Sequence, residues 1–282
     1  MIQPGKINTL RVVKTVDFGI YLDGGEEFGE ILMPGKWVPA GTQPEDTLEA
    51  FLYYDSEDRL IATTTTPKAM VDDFALLRVS QVNRFGAFLD WGLEKDLLVP
   101  YGEQIAKMIE GHQYLVYVYT DPLNRRIVAS ARLDRFLDLQ APPYREGDQV
   151  ELIVWLHSDM GYKAIINRQH TGMLYQNEVF QPLKTGMHLK GYIGKVREDN
   201  KIDLVLQQPG YEKTSGQSGE ILKVLHDQGG FMPVTDKSPA NEIYDTFHMS
   251  KKNFKKALGA LYRHKKVVIT PEGIRLKKEG DQ

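Results

Sequence analysis

An internal duplication is the feature of this sequence that most constrains its fold. Residues 10–23, LRVVKTVDFGIYLD, align with residues 77–90, LRVSQVNRFGAFLD, so that Leu, Arg, Val, Phe, Gly, Leu and Asp recur at the same places. Further along, ILMP at 31–34 matches LLVP at 97–100. A pattern that recurs at a fixed spacing indicates one structural unit built more than once. We therefore expect two copies of the same small domain.

A third and weaker copy follows the first two. Similar segments appear in the same order at 147–166, 172–180 and 186–207. The Phe-Gly-x-Phe pattern of the second copy is absent there, and its nearest match is DMGYKA. The sequence thus predicts three related domains, of which the third has diverged.

Each copy consists of short segments in which apolar and polar residues alternate. The second copy contains FALLRVSQV, AFLDW, LLVP, YLVYVY and RIVASAR, separated by turns with Gly, Asp or Asn. This alternation indicates strands, and the spacing of three and four that a helix needs is missing. Five short strands in about 65 residues suit a small closed barrel. We predict a mostly β chain with three five-stranded barrels of the oligonucleotide-binding type, at residues 1–67, 68–140 and 141–208.

In the C-terminal part, the spacing of apolar residues changes from that of strands to that of helices. Residues 209–217 are rich in Pro, Gly, Ser and Lys and are expected to form a linker. From 218 to 282, three helical patterns precede two short strands around Pro-Glu-Gly. The third pattern begins with Ser250 as a cap and places Phe254 and Leu258 on one face. Three helices followed by a hairpin predict a winged helix with an α+β fold.

The charge is distributed unevenly along the chain. Residues 1–140 carry 14 Lys and Arg against 21 Asp and Glu, whereas residues 247–282 carry 10 against 3. The acidic first half cannot be a nonspecific electrostatic binder of nucleic acid, but the basic tail can contact a phosphate backbone. The cations predicted to do so are Lys251, Lys252, Lys255, Lys256, Arg263, Lys265 and Lys266.

Two aromatic residues flank a glycine in each of the first two copies. Gly86 allows the chain to bend, so that Phe85 can lie in a turn while Phe88 points outward from the next strand. Phe18 and Tyr21 are the matching residues of the first copy. Such a pair predicts a stacking platform for bases, worth ~1–3 kcal/mol per base. The alternative is that either ring covers a neighbouring barrel or plugs the open end of the barrel.

The second copy resembles an S1 domain, an RNA-binding barrel of the oligonucleotide-binding type. Three S1-like units followed by a winged helix resemble the bacterial conserved virulence factor B family (the YitL-like S1 proteins). The resemblance implies RNA binding and a regulatory role in gene expression, without enzymatic activity. It also implies that the paired aromatics contact bases.

The same resemblance assigns further residues to the site. An Asp-x-x-x-Arg pair is expected to join the aromatics, as Asp55 and Arg59 in the first copy and as Asp121 and Arg125 in the second. In the third copy, Tyr175 fills the position of a histidine that S1 domains carry on the third strand. Two cations stand next to these residues and are candidate phosphate contacts: Arg84 and Arg126. For each Asp-x-x-x-Arg pair, the alternative is an Asp that bonds its own turn and a solvated Arg.

Several classes of chemistry find no support in the sequence. There are no cysteines, so a disulfide framework and a thiolate metal site are excluded. The seven histidines lack the spacing of a metal site, no Gly-Lys is followed by Ser or Thr, and G-x-S-x-G is absent. We expect neither an enzyme nor a bound cofactor or metal. No apolar run could span a bilayer and no signal peptide is recognisable, which favours the cytoplasm and no membrane partner.

The leading hypothesis is a protein that binds single-stranded RNA and regulates gene expression after transcription. Stacking on the barrel aromatics would supply contact with bases, and the basic winged helix would add electrostatic attraction. One alternative is a scaffold that docks a ribosomal or RNA-turnover protein through its outward aromatics. Another is a DNA-binding regulator that contacts duplex nucleic acid through the winged helix.

Overall fold

The fold is described from a computed structural model of the chain. It divides into two compact units, Met1–Leu137 and Asp138–Gln282. The residues that the structure describes are 2–138, 140, 142–176, 179, 182–206 and 212–277, with the side chains of 212–216 left aside.

Barrel 1, in the first unit, is closed. Its strand order is β1-β2-β3-β5-β4, and the parallel pairing of β3 with β5, at Leu32 and Ile61, closes it. Buried side chains such as Val12, Leu22 and Met33 fill its interior. Its elements are β1 (Ile7–Val16), β2 (Gly19–Asp23), the short helix α1 (Gly25–Phe28), β3 (Glu30–Pro34), β4 (Thr47–Tyr54) and β5 (Leu60–Thr63).

Barrel 2, also in the first unit, repeats this order but is only nearly closed. Its sheet runs β10-β9-β6-β7-β8, and the parallel ladder that closes barrel 1 has no counterpart between β8 and β10. Leu77, Ala87 and Val99 are among its fully buried residues. Its strands are β6 (Phe74–Asn83), β7 (Gly86–Asp90), β8 (Leu97–Pro100), β9 (Gln113–Thr120) and β10 (Ile127–Ser130).

Barrel 3 lies in the second unit and is closed like barrel 1. The order is β11-β12-β13-β15-β14, with β13 and β15 parallel at Met173 and Asp203. The prediction of three five-stranded barrels is therefore confirmed, while the domain boundaries themselves stay predictions. The strands are β11 (Gln149–Ser158), β12 (Gly161–Ile166), β13 (His170–Tyr175), β14 (His188–Val196) and β15 (Ile202–Val205).

A glycine at the start of the second strand recurs in all three barrels. Gly19, Gly86 and Gly161 have φ angles of 155°, 153° and 134°. A Cβ atom on Gly86 would lie 2.2 Å from the carbonyl oxygen of Val99, and the other two glycines meet a carbonyl oxygen as closely. Only glycine fits this close approach. The first strand of each barrel also carries a β-bulge opposite the second strand, so the third copy keeps the local geometry of the first two.

The second unit ends in the expected winged helix. Its helices pack around Ile243, Phe247 and Phe254, and the Oγ of Ser250 accepts from the N–H of Asn253 at 3.2 Å, which caps α4. A short strand that the sequence pattern does not indicate, β16, completes a sheet of order β16-β18-β17. The elements are α2 (Glu212–Asp227), β16 (Phe231–Met232), α3 (Ala240–Phe247), α4 (Lys251–Arg263), β17 (Val267–Thr270) and β18 (Gly273–Leu276). None of the helices in the described ranges has the length and apolarity that crossing a membrane requires.

The linker expected at 209–217 is wrong from residue 212 onward. Residues 209–211 lie outside the described residues, and helix α2 already begins at Glu212. Gln217 and Ser218 are buried, and the Ser218 hydroxyl donates to the carbonyl oxygen of Ala257 in α4 at 3.4 Å. Packing against α4 thus stabilises a helix that a Gly- and Ser-rich composition disfavours.

Candidate nucleic-acid interface

The aromatic pair of barrel 2 lines a cavity that barrel 1 helps to build. The cavity has a volume of about 370 Å³ and lies within the first unit. Barrel 2 contributes Phe85, Phe88 and Trp91 to its lining, and barrel 1 contributes Tyr53 and Tyr54. This volume lies in the range of sites that hold small ligands. The two repeats therefore form one concave aromatic surface.

The backbone of barrel 2 determines where the two phenylalanines point. Ala87 is fully buried, so the half-buried Phe88 lies on the opposite, outer face of β7. The preceding turn holds Phe85, whose N–H donates to the Oδ1 of Asn83 at 2.9 Å. The Phe85 side chain is 57% exposed. The guanidinium of Arg84 lies 4.8 Å from its ring centroid, which places a cation beside an open aromatic face.

The aromatic pair of barrel 1 has an edge-on arrangement. The ring centroids of Phe18 and Tyr21 are 6.4 Å apart, and the ring planes meet at 82°. Phe18 is 59% exposed, which leaves ring surface for a base. The Nζ of Lys14 lies 4.7 Å from the Tyr21 centroid and 2.5 Å from a carboxylate oxygen of Glu30.

The structure corrects which arginine of the second copy matches Arg59. In barrel 1 the N–H of Asp55 donates to the carbonyl oxygen of Arg59, and in barrel 2 the N–H of Asp121 donates to that of Arg126. Arg126, not Arg125, is thus the structural counterpart of Arg59. The sequence prediction was wrong by one position because the turn of barrel 2 is one residue longer.

Both aspartates hold the turns in which they stand. The Asp55 carboxylate accepts from the N–H groups of Glu57 and Arg59, and from the Arg59 guanidinium at 2.7 Å. Burial acts to raise the pKa of Asp55, but these hydrogen bonds outweigh it and keep the pKa below its usual value. In barrel 2, Asp121 accepts from the N–H of Leu123 at 2.9 Å. The two carboxylates therefore stabilise turns, as the alternative interpretation of these pairs expected.

The arginines of the barrel 2 turn reach acids of barrel 1. The Arg125 guanidinium lies 3.4 Å from the Glu27 carboxylate, and Arg126 forms an ion pair with Asp58 at the edge of the cavity. All four side chains are about half-exposed or more. Exposed ion pairs contribute only about 0–1 kcal/mol. A phosphate group can therefore replace Asp58 as the partner of Arg126 at little cost.

Tyr175 occupies the third-strand position that the sequence assigned to it. It pairs with Gly161 across β12 and β13, as Pro100 pairs with Gly86 in barrel 2. Its hydroxyl accepts a hydrogen bond from the Arg197 guanidinium at 2.7 Å. Barrel 3 thus has a polar group where barrel 2 has a proline.

The cations of the winged helix differ in their surroundings. Lys252 and Lys256 are exposed on α4, and the Nζ of Lys255 lies 3.7 Å from the Asp236 carboxylate. Lys251 is half-buried and donates to the carbonyl oxygen of Ser238 at 2.7 Å, so it fastens the loop before α3. The exposed cations at the end of α4 and in the next turn are Arg263, Lys265 and Lys266.

Sequence reasoning missed two aromatic contributors to this interface. Tyr54 ends β4 and lines the shared cavity, where burial raises the pKa of its hydroxyl. Tyr101 is exposed, and its hydroxyl donates to the carbonyl oxygen of Asn83 at 2.7 Å, beside the Phe85 turn. No recurrence marks Tyr54, because its counterpart before Asp121 in the second copy is Thr120; it is the preceding Tyr53 that recurs, as Tyr119. Within the described ranges, no three His, Asp or Glu side chains are grouped so as to hold a metal ion.

Two domain families match parts of the chain. Residues 4–65 match the S1 domain, and residues 219–276 match the CvfB-like winged helix domain. Both are domain types of the nucleic-acid-binding kind. The sequence as well as the fold therefore identifies barrel 1 as an S1 domain and the C-terminal domain as a winged helix.

Relatives resemble the chain along most of its length. The uncharacterized protein YitL of Bacillus subtilis is 28% identical over 94% of this chain and 91% of its own. Conserved virulence factor B of Staphylococcus haemolyticus is 26% identical over 84% of this chain and 83% of its own. A crystal structure of a multidomain protein with nucleic acid binding domains from Streptococcus pneumoniae is 24% identical, covers 97% of this chain and 98% of its own, and has a TM-score of 0.40.

Proposed function

We propose that this chain, which resembles the conserved virulence factor B family, binds single-stranded RNA and regulates gene expression after transcription. The observation that carries the proposal is the cavity shared by barrels 1 and 2, with the exposed Phe85 ring at its edge. Both matched domains are of the nucleic-acid-binding kind, which supports binding rather than catalysis as the activity. The proposal places this activity in the cytoplasm.

Unpaired bases are the ligand that this aromatic cavity suits best. A base can stack on Phe85 or Phe88 whatever its identity, because every base has a π-face. The backbone on either side of that base would pass Arg84 and Arg126, which can each meet a phosphate. The bases of a duplex are already stacked on one another, so single strands are the preferred ligand.

The winged helix adds attraction that the acidic barrels lack. Residues 1–140 carry a net charge of −7 and residues 247–282 a net charge of +7. The exposed Lys252 and Lys256 would contact phosphates outside the barrels, and joining several weak modules in one chain raises the overall affinity. RNA affinity should therefore depend on salt through the winged helix and on aromatic contact through the barrels.

Binding of oligo(U) RNA of about twelve nucleotides by the full chain tests this proposal. Phe85→Ala/Phe88→Ala should weaken binding by about tenfold or more, since each stack is worth ~1–3 kcal/mol. Leu123→Ala is the matched control, because Leu123 is an apolar side chain of the same barrel, 93% exposed on a turn, and should leave affinity unchanged.

Two results would contradict the proposal. Unchanged RNA affinity in the double alanine variant would show that the two phenylalanine rings do not stack on bases. The chain could instead bind a duplex DNA of equal length more tightly than oligo(U), with the double alanine variant leaving that duplex binding unchanged. This result would favour a DNA-binding regulator that acts through the winged helix.

A further inference from the structure

The segment that follows barrel 2 folds back onto that barrel. Residues 131–137, which we call the exit segment, come directly after β10 and end the first unit. They form a short helical turn, and Ala131, Leu133 and Leu137 are buried. A stretch that only links two domains is normally exposed. The exit segment is therefore part of the packed structure of the first unit.

Phe136 of the exit segment completes a row of aromatic rings on the outer face of barrel 2. Its ring is stacked on that of Tyr117, with 4.3 Å between the centroids and 26° between the planes, and its centroid lies 5.0 Å from that of Tyr119. The centroid of Phe74 lies 4.8 Å from that of Tyr117. Aromatic contacts of this geometry stabilise packing beyond the area that they bury, so Phe136 holds the exit segment on β9.

Glu103, in the turn after β8, holds the same segment through an ion pair. Its two carboxylate oxygens lie 2.7 and 2.9 Å from the Nη1 of Arg135, and its side chain is only 16% exposed. Burial acts to raise the pKa of Glu103, but hydrogen bonds from Ser130 and Arg135 outweigh it and keep the pKa below its usual value. The Nε of Arg132 donates to the carbonyl oxygen of Gly102 at 2.8 Å. Two arginines thus fasten the exit segment to one turn.

The backbone of that turn also fixes the start of the exit segment. The carbonyl oxygen of Glu103 accepts from the N–H of Ala131 at 2.9 Å. Barrel 1 uses the matching turn after β3 in the same way, because the hydroxyl of Thr64, just after β5, donates to the carbonyl oxygen of Trp37 at 2.7 Å. Fastening the chain where it leaves a barrel is therefore a repeated feature of the first unit.

The second unit takes hold of the chain directly after the exit segment. Asp138 is its first residue, and its N–H donates to the carbonyl oxygen of Gln169, in the turn between β12 and β13, at 2.7 Å. Attachment to barrel 2 at Phe136 and attachment to barrel 3 at Asp138 thus lie two positions apart along the chain. Release of the exit segment would add residues 131–137 to the free chain that joins the units.

We propose that Glu103, Arg135 and Phe136 form a clamp on the exit segment, which keeps the free chain between the two units short and so couples RNA contact by one unit to RNA contact by the other. The inference rests on the proposed RNA binding and adds how the modules act together. The effective concentration of a second binding module falls as the flexible chain leading to it lengthens. A closed clamp therefore raises affinity for an RNA that reaches both units and leaves affinity for an RNA that reaches only one unit unchanged.

The test compares binding of oligo(U) RNAs of about six and about thirty nucleotides by the full chain. Arg135→Ala/Phe136→Ala should open the clamp and weaken binding of the longer RNA by about threefold or more, with a change of less than about twofold for the shorter RNA. Glu103→Gln acts on the clamp from barrel 2 and should change affinity in the same direction. Lys107→Ala is the matched control, because it removes an exposed cation of the same barrel outside the clamp and should leave the ratio of the two affinities unchanged.

Hydrogen exchange of peptides that contain residues 131–137 shows whether the clamp is closed. We expect slow exchange in the wild-type chain and faster exchange in the double variant, with the strands of barrel 2 unchanged. Glu103→Gln carries the same test if the double variant does not fold.

The outcomes separate the two proposals. Faster exchange of the exit segment with wild-type affinity for the longer RNA would overturn the inference, and so would an unprotected exit segment in the wild-type chain. Equal weakening of both RNAs would also overturn it, since loss of coupling affects only the longer RNA. These three results would leave the stacking proposal intact. If the wild-type chain bound neither RNA, the proposed function would fail together with the inference.

Discussion

Gly86 directs the aromatic pair because it lets β6 turn into β7 close against β8. We predict that Gly86→Ala lowers the free energy of unfolding by about 1–3 kcal/mol, because the new Cβ would lie 2.2 Å from the Val99 carbonyl oxygen at a φ of 153°. Gly102 of the same barrel has nothing within 4 Å of its would-be Cβ. Gly102→Ala should change stability by less than about 0.5 kcal/mol in the same urea titration. Equal losses for the two variants would contradict this role of Gly86.

Asp55 should make stability depend on pH. Hydrogen bonds keep the pKa of the folded-state carboxyl below its ordinary value of 3.8. The carboxylate therefore contributes stability above that value, and the contribution disappears as the pH falls through the folded-state pKa. We expect Asp55→Asn to cost about 1–2 kcal/mol near pH 7 and much less near pH 3, as measured by urea unfolding. A cost that is the same at both pH values would contradict the prediction.

At the scale of single residues, the sequence predicted positions better than partners. The outward placement of Phe88 follows from strand alternation, and the bend at Phe85 from the glycine beside it. The match of Arg126 with Arg59 was missed because the length of a turn is not visible in a short motif. The contact of Arg126 with Asp58 joins two repeats, and no local pattern encodes a contact between distant segments.

If RNA binds as proposed, the β4–β5 turn of barrel 1 competes with it for Arg126, because Asp58 of that turn forms an ion pair with Arg126. Asp58 has a φ of 60°, a conformation that asparagine tolerates, so Asp58→Asn should keep the turn intact. We predict that this variant raises affinity for oligo(U) by up to about fivefold, because it frees Arg126 from an ion pair worth about 0–1 kcal/mol. In an Arg126→Gln background the same substitution should have a smaller effect, because it then frees only Lys95, whose Nζ lies 3.7 Å from the Asp58 carboxylate. A similar increase in both backgrounds would show that Arg126 does not contact the RNA.

In helix α4, some lysines are expected to contact phosphates and another lysine stabilises the fold. Lys252→Ala/Lys256→Ala should reduce the slope of log affinity against log salt by about 2, one for each phosphate contact that is lost. Lys251→Ala is the matched control, since Lys251 fastens the loop before α3 at the Ser238 carbonyl oxygen. It should lower thermal stability and leave the slope unchanged. A reduced slope for Lys251→Ala, with lower thermal stability but an unchanged slope for Lys252→Ala/Lys256→Ala, would contradict this account of α4.

Strands and helices could be predicted from the sequence where the residues within each element determine its conformation. Alternation and turn residues identified the strands of the barrels, and Ser250 identified the start of α4. The sequence predicts a linker where the first turns of α2 lie, because Gly and Ser are poor helix formers. Burial of Ser218 against α4 stabilises that part of the helix, and burial of this kind depends on a distant element.

At the scale of the molecule, three related barrels have diverged in what they present. Barrel 1 presents Phe18 and Tyr21, barrel 2 lines a cavity with Phe85 and Phe88, and barrel 3 replaces the aromatic pair with Met160 and Lys163. The duplication in the sequence predicted that the copies would share a fold. The shared cavity of barrels 1 and 2 was not predictable, because it depends on how two copies pack together.

Photo-crosslinking of a 4-thiouridine-containing oligo(U) to the full wild-type chain, followed by mass spectrometry, tests the central claim most directly. If RNA occupies the cavity between barrels 1 and 2, crosslinks should fall on peptides that contain Tyr54 and on peptides that contain Phe85 and Phe88, with unlabelled oligo(U) abolishing both. Crosslinks confined to α4 and the β17–β18 hairpin would contradict the claim and move RNA binding to the winged helix.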